Sequence, residues 1–167
     1  YVHPYPGHFD VHSVHFARII MMASTEIENC IRGYAHSVNY APLPGSIGQY
    51  FDFINNRHPN FTASKICLPE YSLDFKPWNA WSQINAPDWW TYGYNKVKHN
   101  RLQHPNAPTL RRATESVGAL FVLLLHYYSF LDPQCCLPIN TAPRLFALHE
   151  EPTDFRSGGV YWSWTLP

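Results

Sequence analysis

The chain has 167 residues, and its 12 Lys and Arg balance its 12 Asp and Glu, so its length suits one domain with a hydrophobic core. Charged residues make up 14 % of the chain and aromatic residues 16 %, whereas charged residues make up about 25 % of typical globular domains. This composition excludes a disordered acidic or basic tail and a protein that binds nucleic acid through bulk positive charge.

Two helices are predicted in the first third of the chain. Residues 11–34 lack proline, and their apolar residues recur at three- and four-residue steps, as on one face of a helix. The apolar positions of this helix are Phe16, Ile19, Ile20, Ala23, Ile27, Cys30 and Ile31. Gly33 is the predicted stop of this first helix. Ser46 is the predicted N-cap of a second helix over residues 46–57.

The middle of the chain is rich in proline. Residues 58–88 hold four prolines, which are spaced too closely for a long helix. Within this stretch, residues 66–68 and 71–75 are predicted either as short strands or as an ordered loop. Asp88 is the predicted cap of a third helix that runs from Trp89 to about Leu102.

A fourth helix is predicted from Thr109 to about Leu131, and it is apolar nearly all round after Val117, as the central helix of a bundle is. Residues 155–164 alternate about a Ser-Gly-Gly turn and suggest a terminal hairpin or an arm laid on the bundle. We therefore predict a mainly α fold, a four- to five-helix up-down bundle with Pro-rich loops and a C-terminal β-hairpin. The whole chain, 1–167, is expected to form a single domain with a helical core over about 11–131 and an arm over 132–167.

The spacing of the cysteines and the length of the apolar runs indicate the cellular compartment of the protein. The four cysteines form no Cys-x-x-Cys pair, which favours reduced thiols in a cytoplasmic protein over a disulfide framework. The longest apolar run covers residues 117–131 and is shorter than the roughly 20 residues of a membrane-spanning helix. The sequence thus predicts a cytoplasmic protein without a membrane segment.

The third predicted helix carries the grouping of polar side chains that is most informative about function. Asn95 and His99 are four residues apart and therefore share one face of a helix. Lys98 and Arg101 lie around the edges of that face. A neutral histidine accepts the 2′-hydroxyl proton of RNA near pH 7, and a neighbouring cation holds the phosphate. The alternative interpretation is a solvated helix face that keeps the bundle soluble.

The surrounding segment is locally basic although the chain as a whole is neutral. Between residues 96 and 112 there are five Lys or Arg, two His and no acidic residue. Because the whole chain is neutral, any anionic ligand must be held by a local patch such as this one. The candidate RNA-binding residues outside the central grouping are Lys96, His104, Arg111 and Arg112.

Residues 89–101, with the sequence Trp-Trp-Thr-Tyr-Gly-Tyr-Asn-Lys-Val-Lys-His-Asn-Arg, resemble the motif helix of HEPN-domain proteins. The long first helix, with Ser-Thr-Glu-Ile-Glu at 24–28, and the apolar fourth helix fit the same plan. The resemblance implies a bundle of four or five helices, usually dimeric. It also implies a metal-independent endoribonuclease of toxin–antitoxin, CRISPR or phage-defence systems, and we expect no metal ion and no cofactor.

The family's pattern is an Arg, a polar residue, a few variable residues and then a His, and this sequence departs from it at one position. Tyr94 stands where the Arg is expected. The resemblance carries over to His99 as the general base and to Asn95 as its polar partner, while Lys98 and Arg101 would supply the missing cation.

The departure at Tyr94 leaves three hypotheses open. The first is a dimeric HEPN-like ribonuclease or defence effector that acts on RNA. The second is a catalytically inactive HEPN-like module that binds RNA or a partner protein. The third, which would follow if the protein does not interact with RNA, is a structural subunit of a larger complex.

Three further features have two interpretations each. His8, His12 and His15 would line one face if helical and could bind a divalent metal, but we expect an incidental exposed face, because no cysteine or carboxylate cluster completes a site. The six tryptophans and many tyrosines either stack unpaired bases or, as we expect, form the core and a dimer interface. Glu26 and Glu28 either orient His99 or are solvated carboxylates, the usual case.

Overall fold

The computed structural model describes residues 2–131 and 145–148, and in these residues the protein is mainly helical, as predicted. The α-helices are α1 (Val14–Ser37), α2 (Ile47–Asn55), α3 (Lys96–Asn100) and α4 (Leu110–Leu131). The strands are β1 (Ile66–Leu68), β2 (Leu73–Phe75) and β3 (Ala147–Leu148). A π-helical segment, Trp89–Asn95, leads directly into α3, and we call the two together the motif helix. The predicted hairpin at 155–164 lies outside the described residues.

The first helix begins and ends later than the sequence predicts. The side chain of Ser13 caps α1 by accepting a hydrogen bond from the backbone N–H of Phe16 at 3.1 Å. The prediction that Gly33 ends the helix is wrong. The helix continues to Ser37 because its buried face extends past the glycine through Tyr34 and Ala35.

The second helix confirms the prediction made from its cap. Ser46 and Gln49 form a capping box, in which Ser46 Oγ accepts from the Gln49 N–H at 3.4 Å and Gln49 Oε1 accepts from the Ser46 N–H at 3.1 Å. The helix is shorter than the predicted 46–57, and its buried side chains are Tyr50, Phe53 and Ile54.

The two short segments in the Pro-rich region are strands, so the ordered-loop alternative is wrong. β1 is the central strand and pairs antiparallel with both β2 and β3, with Ile66 opposite Phe75 and opposite Leu148. β2 starts at Leu73 and not at residue 71, because Pro69–Tyr71 forms a 3₁₀ turn. An added Cβ at Gly118 would overlap Cδ1 of Ile66, so β1 packs closely on α4.

The third predicted helix exists and begins at Trp89 as predicted, but its end and its cap differ from the prediction. It ends at Asn100, and its first two turns are π-helical. Asp88 has a helical backbone and makes no capping hydrogen bond. The predicted cap is wrong because the Asp88 carboxylate binds the guanidinium of Arg112 on α4 at 2.6 Å and 3.4 Å.

The core lies where α1 and α4 pack along each other, and the motif helix packs against both. The four described tryptophans, Trp78, Trp81, Trp89 and Trp90, are all buried in this core. The Trp78 indole N–H donates to the Ala119 carbonyl at 3.1 Å, and the Trp89 indole N–H donates to the Pro77 carbonyl at 2.7 Å. These aromatics therefore stabilise the fold of one chain and are not available to stack bases or form an interface.

No helix in the described part of the chain combines the length and the hydropathy that a membrane crossing requires.

Candidate functional site

Asn95 and His99 lie on an exposed face of the motif helix. The backbone of Asn95 is helical, with φ −63° and ψ −41°, and leads directly into α3. The four-residue spacing therefore keeps both side chains on one face, as the sequence predicts. Both residues are exposed, so an imidazole and an amide are accessible together to a ligand from solvent.

Lys98 faces away from His99, towards α1. Its ammonium donates to the Tyr94 hydroxyl at 2.9 Å and lies 4.8 Å from the centroid of the Tyr94 ring. The Tyr94 hydroxyl in turn donates to Oε1 of Glu28 on α1 at 3.3 Å. The hydrogen bond to Tyr94 raises the pKa of Lys98 above its ordinary value. Glu28 thus balances the charge of Lys98 through the tyrosine.

The position where the HEPN pattern has arginine is therefore an interior position. Tyr94 is 2 % exposed and packs edge-to-face on Trp90 with the ring centroids 4.8 Å apart. Tyr50 of α2 lies close by, and burial raises the pKa of its hydroxyl, while Arg32 lowers it. The hydroxyls of Tyr94 and Tyr50 thus belong to a polar group of side chains between α1, α2 and the motif helix.

Two of the predicted RNA-binding cations are engaged in ion pairs. Arg111 binds Glu115 at 2.9 Å on the exposed surface of α4. Arg112 binds Asp88 at 2.6 Å and also donates to the Ala107 carbonyl at 2.9 Å. Both acidic partners lie just outside the stretch 96–112, so the acid-free segment is partly neutralised by residues that flank it in sequence.

The other candidate residues differ in accessibility. Arg101 is exposed at the C-terminal end of α3, and its guanidinium makes no ion pair or hydrogen bond with any described residue. Lys96 and His104 are half-buried. Among the candidate cations, Arg101 is thus the one that is both exposed and without an ion pair or hydrogen bond to a described residue.

The two acidic residues of α1 have other partners than His99. Glu28 accepts from Tyr94, and Glu26 lies 3.8 Å from the thiol of Cys30. Burial and Glu26 together raise the pKa of Cys30 to about 11. In the described residues neither glutamate contacts His99, so the prediction that one of them orients His99 has no structural support.

The N-terminal histidines do not share a helix face. His8 lies in a 3₁₀ turn, His12 pairs with Thr109 in an isolated β-bridge, and His15 lies in the first turn of α1. Across residues 2–131 and 145–148, no group of three or more His, Cys, Asp or Glu side chains is arranged to hold a metal ion.

Sequence reasoning missed the contacts that cross between helices. The spacing of Tyr94 and Lys98 at i and i+4 is a local signal that could have identified their pairing. The partner Glu28 is 66 residues from Tyr94, and the partner Asp88 is 24 residues from Arg112. No local pattern connects residues at such separations.

Comparison with family models, with curated proteins and with solved structures gives no match. The resemblance to HEPN proteins therefore rests on the motif helix and on the helical plan of the chain.

Proposed function

We propose that the protein is a HEPN-like, metal-independent endoribonuclease that acts on RNA as a defence or toxin effector, with His99 as its general base. The proposal includes an up-down helical bundle that forms a homodimer, so that two motif helices face each other. Its support is the resemblance of residues 89–101 together with the exposure of Asn95 and His99 on one helix face.

The chemistry follows from the side chains on this face. His99 in its neutral form accepts the 2′-hydroxyl proton of the substrate, and Asn95 hydrogen-bonds and positions the reacting nucleotide. The 2′-oxygen attacks the adjacent phosphorus, and the 5′-oxygen of the next nucleotide leaves and takes up a proton from solvent. Arg101 stabilises the charge that develops on the phosphate oxygens. The products are a 2′,3′-cyclic phosphate and a 5′-hydroxyl end.

The single observation that carries the proposal is the exposure of His99 on a short helix that also exposes an amide and a cation. His99, Asn95 and Arg101 are all exposed on or at the end of the same short helix. Lys98 contributes less to phosphate binding, because Glu28 balances its charge through Tyr94.

The test is incubation of the purified chain with labelled single-stranded RNA in EDTA, followed by analysis of the product ends. We expect cyclic phosphate ends from the wild type, and we expect His99→Ala to reduce the cleavage rate by at least about 100-fold, the lower range for loss of a general base. His36→Ala, which removes an exposed histidine near the end of α1, is the matched control and should cleave like the wild type.

Equal cleavage by His99→Ala and the wild type, with both variants folded by circular dichroism, would show that His99 is not the base. Loss of cleavage in EDTA that returns with added divalent metal would contradict the metal-independent mechanism.

A second candidate function is a HEPN-like module that binds RNA or assembles with a partner protein and does not cleave. The observation that favours it is the interior position of Tyr94, because no arginine reaches the phosphate from that place. The same assay distinguishes the two functions, since binding of RNA without cleavage by the wild type supports the second. Absence of any RNA binding would favour a structural subunit of a larger complex.

A further inference from the structure

A polar cleft of about 440 Å³ opens beside the start of the motif helix. Its walls come from the N-terminal segment, the loop after β2, the start of the motif helix and the first turns of α4. Its volume lies in the range of about 300 to 1,000 Å³ that small-molecule sites have. The charged residues that line it are Asp10, Lys76, Asp88, Arg111, Arg112 and Glu115.

The charges of this lining indicate what kind of group it can receive. Three cations and three carboxylates line the cleft, so their formal charges cancel. Both guanidiniums are already held by carboxylates, Arg111 by Glu115 and Arg112 by Asp88. A phosphate therefore finds little net attraction here. A neutral group with both donors and acceptors at its edge can instead bond to several walls at once.

Part of the lining is accessible for such bonds. Asp10, Lys76 and Asn79 are exposed at the cleft, and their side chains make no hydrogen bond or ion pair with any described residue. Together they offer a carboxylate acceptor, an ammonium donor and an amide with both.

The cleft is connected to the candidate active face through Arg112. The guanidinium of Arg112 lines the cleft and lies 5.6 Å from the centroid of the Tyr92 ring. Tyr92 is 53 % exposed and precedes His99 by seven residues on the motif helix, which is roughly 10 Å along a helix axis. Roughly 10 Å corresponds to about three stacked nucleotides, so an RNA strand lying over His99 reaches Tyr92 and the cleft.

We propose that this cleft is a base-recognition subsite, in which Asp10 and Asn79 hydrogen-bond the edge of a nucleobase flanking the cleaved nucleotide. The inference rests on the proposed function, since it requires RNA on the motif helix. Proteins recognise the sequence of single-stranded RNA through hydrogen bonds to base edges. The side chains of the cleft supply donors and acceptors for such bonds. The subsite gives the protein a sequence preference that the His99 face alone lacks.

The experiment measures binding of fluorescein-labelled RNA octamers of A, C, G or U by anisotropy in EDTA, in the His99→Ala background so that cleavage does not interfere. We expect a ratio of at least tenfold between the tightest and the weakest octamer. Asn79→Ala and Asp10→Asn should each lower that ratio by about fivefold or more. The affinity for the weakest octamer should stay within twofold of that of the His99→Ala protein without the second substitution. Asn60→Ala, an exposed asparagine outside the cleft, is the control and should keep the ratio.

The alternative outcomes separate the subsite from the proposed function. Octamers that bind with an unchanged ratio in both cleft variants, or that all bind alike before mutation, overturn the subsite and leave the ribonuclease proposal standing. An equal loss of affinity for all four octamers shows that the cleft holds the backbone, which also overturns base recognition. Failure of every octamer to bind overturns the proposed function and the subsite together.

Discussion

The Tyr94 hydroxyl joins a cation of the motif helix to a carboxylate of α1. It accepts from Lys98 and donates to Glu28, and the residue is nearly fully buried. We expect Tyr94→Phe to lower the free energy of unfolding by about 1 kcal/mol, the usual contribution of an intramolecular hydrogen bond. The pKa of Lys98 should fall towards its ordinary value, because the hydrogen bond that favours the ammonium is lost.

Urea denaturation and NMR titration of the lysine side chains measure these two effects. Tyr92→Phe removes an exposed hydroxyl that has no hydrogen-bond partner among the described residues, and it should change neither quantity. An unaltered Lys98 pKa in Tyr94→Phe would contradict the role given to the hydroxyl.

A buried histidine makes the stability of the fold sensitive to pH. His126 of α4 is 2 % exposed, with its Nε2 3.2 Å from Ser64 Oγ and its ring centroid 4.9 Å from that of His58. Burial, and then the neighbouring His58, lower the pKa of His126 to about 3. Burial and the charge of Arg57 lower the pKa of His58 as well. Both rings are therefore neutral in the folded protein at pH 7.

The direction of the pH effect follows from these lowered values. The unfolded chain binds a proton at each histidine near pH 6.5, whereas folded His126 binds one only near pH 3. The stability that burial of the neutral ring supports is complete above about pH 6.5. It is lost as the pH falls towards 3, by up to about 1.4 kcal/mol per pH unit for one histidine.

Urea midpoints between pH 7.5 and pH 5 measure this loss. His126→Phe keeps a ring against Phe61 and cannot titrate, so its midpoint should fall less steeply with pH than that of the wild type. His36→Ala removes an exposed histidine and should keep the wild-type slope. Identical slopes for His126→Phe and the wild type would exclude His126 as the source.

At the scale of elements, substitution of two helical glycines by alanine is expected to have opposite effects on stability. An added Cβ at Gly48, in the first turn of α2, would lie 2.6 Å from the Gln83 carbonyl oxygen, whereas one at Gly33 of α1 would meet nothing within 4 Å. Gly48→Ala should lower the free energy of unfolding by about 1 to 3 kcal/mol, because the backbone must move to relieve the overlap. Gly33→Ala should raise it by up to about 1 kcal/mol, the helix-propensity difference.

Thermal and urea unfolding of the two variants test this pair. Each alanine serves as the control for the other, since both add one methyl group to a helix. Equal effects of the two substitutions would mean that the contact between α2 and the loop at Gln83 does not constrain the fold.

At the scale of the whole molecule, the proposed dimer requires a contact surface near His99. Leu102 is 97 % exposed, directly after Arg101 and beyond the end of α3. Burial of this side chain against a second copy would bring the two motif helices together. We expect sedimentation of the wild type at twice the mass of one chain, and we expect Leu102→Glu to shift it towards the monomer, because a carboxylate resists burial.

Ile84→Glu is the matched control, because Ile84 is 89 % exposed in the loop before the motif helix. It should leave the dimer intact. A monomeric wild type across the accessible concentration range, or a dimer that both substitutions leave unchanged, would contradict the proposed interface.

The elements that the sequence predicts well depend on neighbours within one turn. The start of α2 follows from Ser46 and Gln49, three residues apart. The local sequence does not predict the effect of Gly33, because that effect depends on whether the buried face of α1 continues beyond it. Nor does it predict that Asp88 fails to cap the motif helix, because a residue of α4, 24 positions away, binds its carboxylate.

In the candidate site, too, local spacing predicts one part and contacts between distant residues decide the other. The shared face of Asn95 and His99 follows from a four-residue spacing, which an α-helix places on one side. The prediction of a strongly basic face is weakened by the folded structure, since Asp88 and Glu115 lie just outside the window in which acidic residues are absent and pair with two of its cations.

The sequence by itself determined the helical class and the position of the motif helix, together with a neutral charge that excludes bulk attraction of nucleic acid. These properties depend on local periodicity and on composition, and both are fixed before the chain folds. Only the tertiary structure decided that Lys98 turns to Tyr94 and Glu28, that the described tryptophans form the core, and that mixed charges meet in one cleft. Such contacts join residues distant in the chain, and they form only when α1, α4 and the motif helix pack together.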